Sequence, residues 1–167
     1  QSELDAVLGD REPDAMSLRQ LEYTSQVLQE SMRLYPPVWA VARCAERDDM
    51  LSGHLVKRGT FVIMSPYVIH RHPQYWDNPE GFDPDRFSPE RLKRAKAQGR
   101  PKEAYFPFST GPRKCIGDHF AKMESLIILT TLLRKFTPSL VTGQRIELET
   151  SVTLRPKNGI LMTLKRR

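Results

Sequence analysis

Cysteine is nearly missing from this chain: Cys44 and Cys115 are its two examples among 167 residues. They can form at most one disulfide. That excludes the crosslinked scaffold of a small secreted domain and points to a reducing, cytoplasmic setting. Long hydrophobic runs are missing as well. The longest, LIILTTLL from Leu126 to Leu133, is far shorter than the roughly 20 residues that span a bilayer. No signal peptide opens the chain, so any membrane anchor would have to lie upstream. The first residue is not methionine, and QSELDAVLGD reads as the last turns of a helix, so the expectation is a chain whose earlier part is absent. Aromatic residues make up only 8%, and none falls between Phe87 and Tyr105. The run RLKRAKAQGRPK, Arg91 to Lys102, therefore has no stacking platforms, which speaks against nucleic acid. Acid is absent from the same run: its six bases match the whole net charge of +6. It reads either as a solvated loop or as a dock for an acidic partner.

What is present is ordinary for a soluble domain. Hydrophobic residues are 39%, charged residues 28%, and the mean hydropathy is -0.51, which suits one compact unit with a core. Leu4, Ala6, Val7 and Leu8 before Gly9 look like a helix end, and Ser17 looks like the cap of a short helix. In EYTSQVLQESMRLYPP, Tyr23, Val27, Leu28, Ser31 and Leu34 share one helical face, with Glu30 and Arg33 on its flank and Pro36 and Pro37 as the stop. From Val38 to Met64 the pattern shifts to short apolar runs, so VWAVA, HLV and FVIMS read as strands of a small sheet. Residues 66–112 carry eight of the thirteen prolines, a density that predicts no long helix and no central strand there. IGDHFAKMESLIILTTLLRKF predicts a long helix, apolar nearly all round in its second half and so expected to be buried, with Pro138 as its end. RIELE and GILMTL, separated by the turn PKNG, suggest a terminal hairpin. Cys44 reads as a small core residue, and His70 as a partner for a backbone group.

Cys115 is the residue with unexpected company. In FPFSTGPRKCIG, Phe106 to Gly117, it follows two bases and precedes the long helix, where a helix N-terminus with Arg113 and Lys114 favours a thiolate. A thiolate can attack a substrate, join a redox pair or bind a metal. Nucleophilic catalysis needs a histidine base, and His54, His70, His72 and His119 sit in no cysteine-hydrolase signature. Cys115 and His119 share zinc-ligand spacing, but zinc takes three or four protein ligands. Haem iron needs only one proximal ligand, and a cysteine thiolate there supports O–O cleavage. Arg113 suits a propionate, while Gly111 and Gly117 allow close approach to a flat ring.

Phe108, Gly111, Arg113, Cys115 and Gly117 match the pattern FxxGxRxCxG, and the chain thereby resembles the cytochrome P-450 haem-thiolate enzymes. Glu30 and Arg33 in ESMRLYPP resemble that family's ExxR motif, and Arg86 in FDPDRF resembles the arginine completing its Glu–Arg–Arg cluster. The resemblance implies a mainly α fold with small β-sheets (α+β), and places residues 1–167 as the C-terminal portion of a single domain, with a long proximal haem-side helix after the cysteine loop. It implies haem b as cofactor, Cys115 as axial ligand, Arg113 at a propionate, Arg43 as a second basic residue reaching the haem edge, and Phe108 beside the sulfur. It implies a substrate pocket touched by Val38, Trp39, Val41 and Val152. The activity implied is monooxygenation of a small apolar substrate, with electrons from an acidic ferredoxin or a flavin reductase. The family's oxygen-activating helix would precede the ExxR helix and is not found before Ser17, so the isolated chain is expected not to be a competent monooxygenase. A non-catalytic haem-binding fragment and a haem-thiolate isomerase or peroxygenase are the competing readings.

Overall fold

The computed structural model describes all 167 residues. Six helices and four two-stranded antiparallel sheets follow one another along the chain, the mainly α arrangement with small sheets that the sequence implies. Helices α1 (Ser2–Leu8), α2 (Ala15–Leu18) and α3 (Glu22–Leu34) come first. Leu4 and Leu8 from α1, Leu18 from α2 and Leu21 at the head of α3 form a core cluster. The long helix α6 (Asp118–Lys135) lays Leu126 and Leu133 against it. Their spacing of seven residues puts both on one stripe of α6.

Only that stripe is covered. Asp118 and Thr130 are the only buried residues of α6, while Phe120, Ile127, Ile128 and Leu132 are exposed. The helix is therefore not buried all round as its composition predicts, because α1, α2 and α3 pack against one side alone. Across the chain 21 of 167 residues are buried, so much of the apolar surface stands open, as at binding faces.

Between α3 and α6 the chain makes β1 (Val41–Cys44), β2 (Asp49–Leu51), β3 (His54–Val56) and β4 (Phe61–Met64). β1 pairs with β4 and β2 with β3, so the expected strands form, except that Val38, Trp39 and Ala40 lie outside β1. Cys44 is exposed rather than in the core, because it sits at the end of β1 opposite Phe61, itself exposed.

The proline-rich stretch is more regular than its composition predicts. α4 (Pro66–Ile69), a 3-10 turn at Pro84–Phe87, α5 (Pro89–Ala97) and a further 3-10 turn at Gly111–Arg113 each place a proline in the first turn. There the missing N–H costs nothing and the fixed φ is already helical. Much of the basic run is thus the helix α5 rather than a loop. Pro138 does not end α6 but lies within β5 (Phe136–Leu140), which pairs with β8 (Met162–Arg166). β6 (Leu148–Thr150) pairs with β7 (Leu154–Pro156), so RIELE and GILMTL do not form one hairpin. Ser17 is the third helical residue of a capping box whose cap is Asp14. The Asp14 carboxylate accepts from the Met16 and Ser17 amides.

Between α3 and the cysteine loop lies a second, polar and aromatic core of His70, Trp76, Phe87, Tyr105 and Phe106. His70 is fully buried, and its Nε2 accepts from the Phe106 amide at 2.9 Å. That fixes the proton on Nδ1, which is buried without a hydrogen-bond partner. Burial above all, then the neighbouring Arg33 charge, pulls the His70 pKa from 6.5 down to about 4. Above pH 6.5 both folded and unfolded chains hold this ring neutral, and its contribution is complete. As pH falls toward 4 the unfolded chain binds a proton that the folded chain refuses, so stability is lost. The urea midpoint should drop between pH 7 and pH 5 by the equivalent of about 2 kcal/mol. A His70→Gln variant should show a flatter profile over that range; an equal slope in the variant would refute the assignment.

Candidate functional site: an exposed cysteine loop beside a buried Glu–Arg–Arg cluster

The cysteine loop is closed by its own backbone. The Cys115 amide donates to the Phe108 carbonyl at 2.9 Å, and the Lys114 amide donates to the Gly111 carbonyl at 3.1 Å. Two left-handed residues shape the turn, Ser109 at φ 63° and Gly111 at φ 72°. At Gly111 an L side chain would be strained whatever the space around it. Nothing lies within 4 Å of the point where a Gly111 Cβ would sit, and at Gly117 that point meets only Cys115 Sγ, at 3.8 Å. Gly117 thus leaves space beside a thiol that is itself exposed and free.

Phe108 is half-buried, with the Lys122 ammonium 5.3 Å from its ring centre. Arg113 is exposed and makes no ion pair within the chain. Lys114 is differently disposed: its Nζ lies 2.6 Å from Asp118 Oδ2. That hydrogen bond is the main cause holding the Asp118 carboxyl below its ordinary pKa. Of the two bases flanking Cys115, Arg113 and Lys114, the second is thus engaged by Asp118. The helix begins at Asp118 rather than at Cys115 itself. The i,i+4 spacing of Lys114 and Asp118 was the signal for this pair. His119 Nε2 also leans on Asp118, at 3.6 Å, rather than on Cys115.

Arg43 projects from the exposed part of β1, and its Nη1 donates to the Ala42 carbonyl at 2.9 Å. The chain joins the two segments expected to touch substrate. Trp39 Nε1 donates to the Ser151 carbonyl at 3.0 Å, and the Leu154 amide donates to the Pro37 carbonyl at 2.8 Å. Val38 and Val152 are exposed beside this junction, Val152 at 90%, and Val41 is half-buried.

Glu30, Arg33 and Arg86 meet away from solvent. Glu30 and Arg33 are fully buried, and Arg86 is 5% exposed. Arg33 Nε and Nη2 donate to the two carboxylate oxygens of Glu30 at 2.7 and 2.8 Å. Nη1 donates to the His70 and Pro79 carbonyls, and Nη2 also to the Gly81 carbonyl. All five N–H groups of the guanidinium are thereby satisfied, which lysine with three donors could not achieve. Glu30 Oε1 further accepts from the Asp83 amide at 2.9 Å and lies 3.4 Å from Arg86 Nε. The cluster binds α3 to the Pro84–Phe87 turn and to the chain segments around Pro79 and Gly81.

Tyr105 and Trp76 belong to the same shell, although no sequence motif marks them. Tyr105 donates its hydroxyl to the Gln29 carbonyl at 3.0 Å, and burial first, then the Glu30 charge, drives its pKa far upward. It stays neutral and structural.

These residues suit a flat, anionic-edged macrocycle such as haem. A bare sulfur stands on a glycine-flanked loop, Ile116 and Phe120 next to it are uncovered, and Arg113 has no partner of its own.

Sequence and fold comparisons agree with this geometry. The family model described as Cytochrome P450 matches residues 1–163. Cytochrome P450 4V2 of Homo sapiens is 45% identical over 168 residues, covering 99% of this chain and 31% of that protein. Cytochrome P450 132 of Mycobacterium tuberculosis is 43% identical over 166 residues, covering 99% and 35%. Among solved structures, retinoic acid-bound cyanobacterial CYP120A1 superposes with a TM-score of 0.90 at 32% identity, over 99% of this chain and 37% of that one. The cytochrome P450DA heme domain gives 0.88 at 29%, over 99% and 36%. The chain thus spans about a third of the length of the relatives it matches. With the cysteine loop, the Glu–Arg–Arg cluster and the fold all in agreement, the chain belongs to the cytochrome P450 family.

Proposed function

We propose that this chain carries the cysteine-ligand side of a haem-thiolate monooxygenase, acting as the C-terminal portion of a single domain. The observation that carries the reading is the exposed Cys115 thiol, held on the loop closed at Phe108 and flanked by Gly111 and Gly117. Haem b, when bound, supplies activation of dioxygen: RH + O2 + 2e– + 2H+ gives ROH + H2O. The work of the chain's own residues is to hold and orient. Cys115 would hold the haem iron through its sulfur. Arg113, free of any internal partner, would receive a carboxylate of the macrocycle, and Arg43 on β1 would reach its edge. Gly117 keeps a side chain out of the space next to the sulfur, Gly111 permits the left-handed turn of the loop, and Phe108 would pack beside the bound sulfur. Asp118 engages the Lys114 ammonium in an ion pair.

An apolar substrate is supported by the junction of Trp39 with Ser151, which presents Val38 and Val152 on one edge. An acidic ferredoxin or flavin reductase is supported by the exposed bases Lys93, Lys96 and Lys102, none of which has an internal ion pair. The free thiols of Cys44 and Cys115 fit a reducing, cytoplasmic compartment. No helix is long and apolar enough to cross a membrane.

The test is turnover of an apolar substrate by the full-length, haem-loaded protein with electron donor and dioxygen varied separately. Oxygenated product should require both. Equal turnover with an organic peroxide and no donor would instead establish the peroxygenase or isomerase reading.

A further inference from the structure

The residues assigned to haem and substrate leave aside a cavity of about 340 Å³ on another part of the molecule. Its wall carries four arginines, Arg86, Arg91, Arg94 and Arg100, against a single carboxylate, Asp77, with Tyr75 at its side. Local structure converges them. Arg86 comes from the Pro84–Phe87 turn, and Arg91 and Arg94 lie three apart on α5. Gly99, at φ 86°, reverses the chain so that the Arg100 amide donates back to the Ala95 carbonyl at 3.0 Å. That glycine ending of α5 returns Arg100 to the side of the helix bearing Arg91 and Arg94.

Charge in this cavity is not balanced by the protein. Arg91 is paired with Asp83 at 2.7 Å. Arg86, 95% buried, has only Nη2 in a full hydrogen bond, to the Asn78 carbonyl at 2.8 Å. Its Nε is buried without one and lies 3.4 Å from Glu30, a carboxylate already gripped at both oxygens by Arg33. One carboxylate thus faces two buried guanidiniums. Arg100 lies over the Trp76 ring at 4.5 Å and has no ion pair. Burial, and after it the Arg86 charge, lowers its pKa, yet a guanidinium stays charged in a protein. Arg94 is exposed and also unpaired. Buried cations without counter-charge are costly, and several guanidinium forks facing one space match the oxygens of phosphate groups. The space exceeds what one tetrahedral anion fills.

We propose that this cavity binds an oligophosphate, the size of diphosphate, with Arg94 and Arg100 gripping it and Arg86 at the floor. The diphosphate can be free or part of a nucleotide whose base stacks on Tyr75. The inference does not depend on the haem assignment. Inorganic diphosphate and ADP are titrated separately by calorimetry into the full-length, haem-loaded protein at fixed ionic strength. Saturable one-to-one binding is expected for at least one of them, weakened tenfold or more by Arg94→Gln with Arg100→Gln. Lys93→Gln with Lys96→Gln, outside the cavity, should weaken it less than twofold. If the Arg100→Gln chain loses its circular dichroism, Arg94→Gln alone should still weaken binding severalfold. Tighter binding of ADP than of diphosphate assigns the phosphates to a nucleotide; equal binding assigns the site to free diphosphate. Absence of saturable binding by both probes overturns the proposal. Affinity that is unchanged in the arginine variants, or an acidic peptide displacing diphosphate at lower concentration, overturns it too, the latter in favour of a protein dock.

Discussion

Replacing Glu30 by glutamine should lower stability by about 3–5 kcal/mol, the cost of leaving a buried cation without its partner. Two guanidiniums depend on this carboxylate: Arg33 through two short bonds and Arg86 at 3.4 Å. Glutamine keeps the shape and one acceptor, but its NH2 group would face donors. The loss is large against a total of about 5–15 kcal/mol for a folded domain, so a displaced urea midpoint or loss of the folded circular dichroism signal is the readout. Removing both charges with Glu30→Gln and Arg33→Met should recover part of the loss, since the pair is worth less than the penalty for breaking it. A surface pair at i,i+3 would be worth only about 0.2–0.5 kcal/mol. A midpoint shift of that size in Glu30→Gln would show that the cluster does not hold α3 to the Pro84–Phe87 turn.

This cluster also shows what could be read from the chain alone. Glu30 and Arg33 lie beside an apolar helical stripe, and local spacing was enough to pair them. The carbonyls of His70, Pro79 and Gly81 that complete the Arg33 donor set lie 37 to 48 residues further on, and no local pattern announces them. The same holds for Trp76 and Tyr105, whose burial depends on neighbours from three chain segments. Periodicity placed α6 but misjudged its environment: an apolar composition states that a surface wants covering, not which part of this chain covers it. Pro138 and the tail strands were misread because an edge strand accepts proline and because β5 and β8 pair across more than twenty residues. The cysteine loop was legible because its chemistry is local. Phe108, Gly111, Arg113, Cys115 and Gly117 fall within ten consecutive positions, and one backbone bond between Phe108 and Cys115 closes them. The arginine cavity was only half visible: α5 shows as a basic run, but the return of Arg100 depends on the left-handed Gly99.

Substituting Cys115 by alanine should reduce donor-driven oxygenation to background while leaving the fold intact. The side chain is exposed and packs in no core, so its removal creates no cavity, and the Cys115 amide still donates to the Phe108 carbonyl. Stability within about 0.5 kcal/mol of the parent is the expected control. Activity and fold thus separate at this residue, whereas at Glu30 they fall together. Both outcomes derive from position: the buried Glu30 carboxylate accepts from three N–H donors and has Arg86 beside it, and Cys115 stands exposed on a loop.

The sulfur's role is tested most directly by the absorption spectrum of the reduced, carbon monoxide-bound haem in the full-length protein, with and without Cys115→Ala. A thiolate donating to the iron gives the parent protein a strongly red-shifted main band, and that band should vanish in the variant. Its persistence after the substitution would contradict the assignment of Cys115 as the ligand.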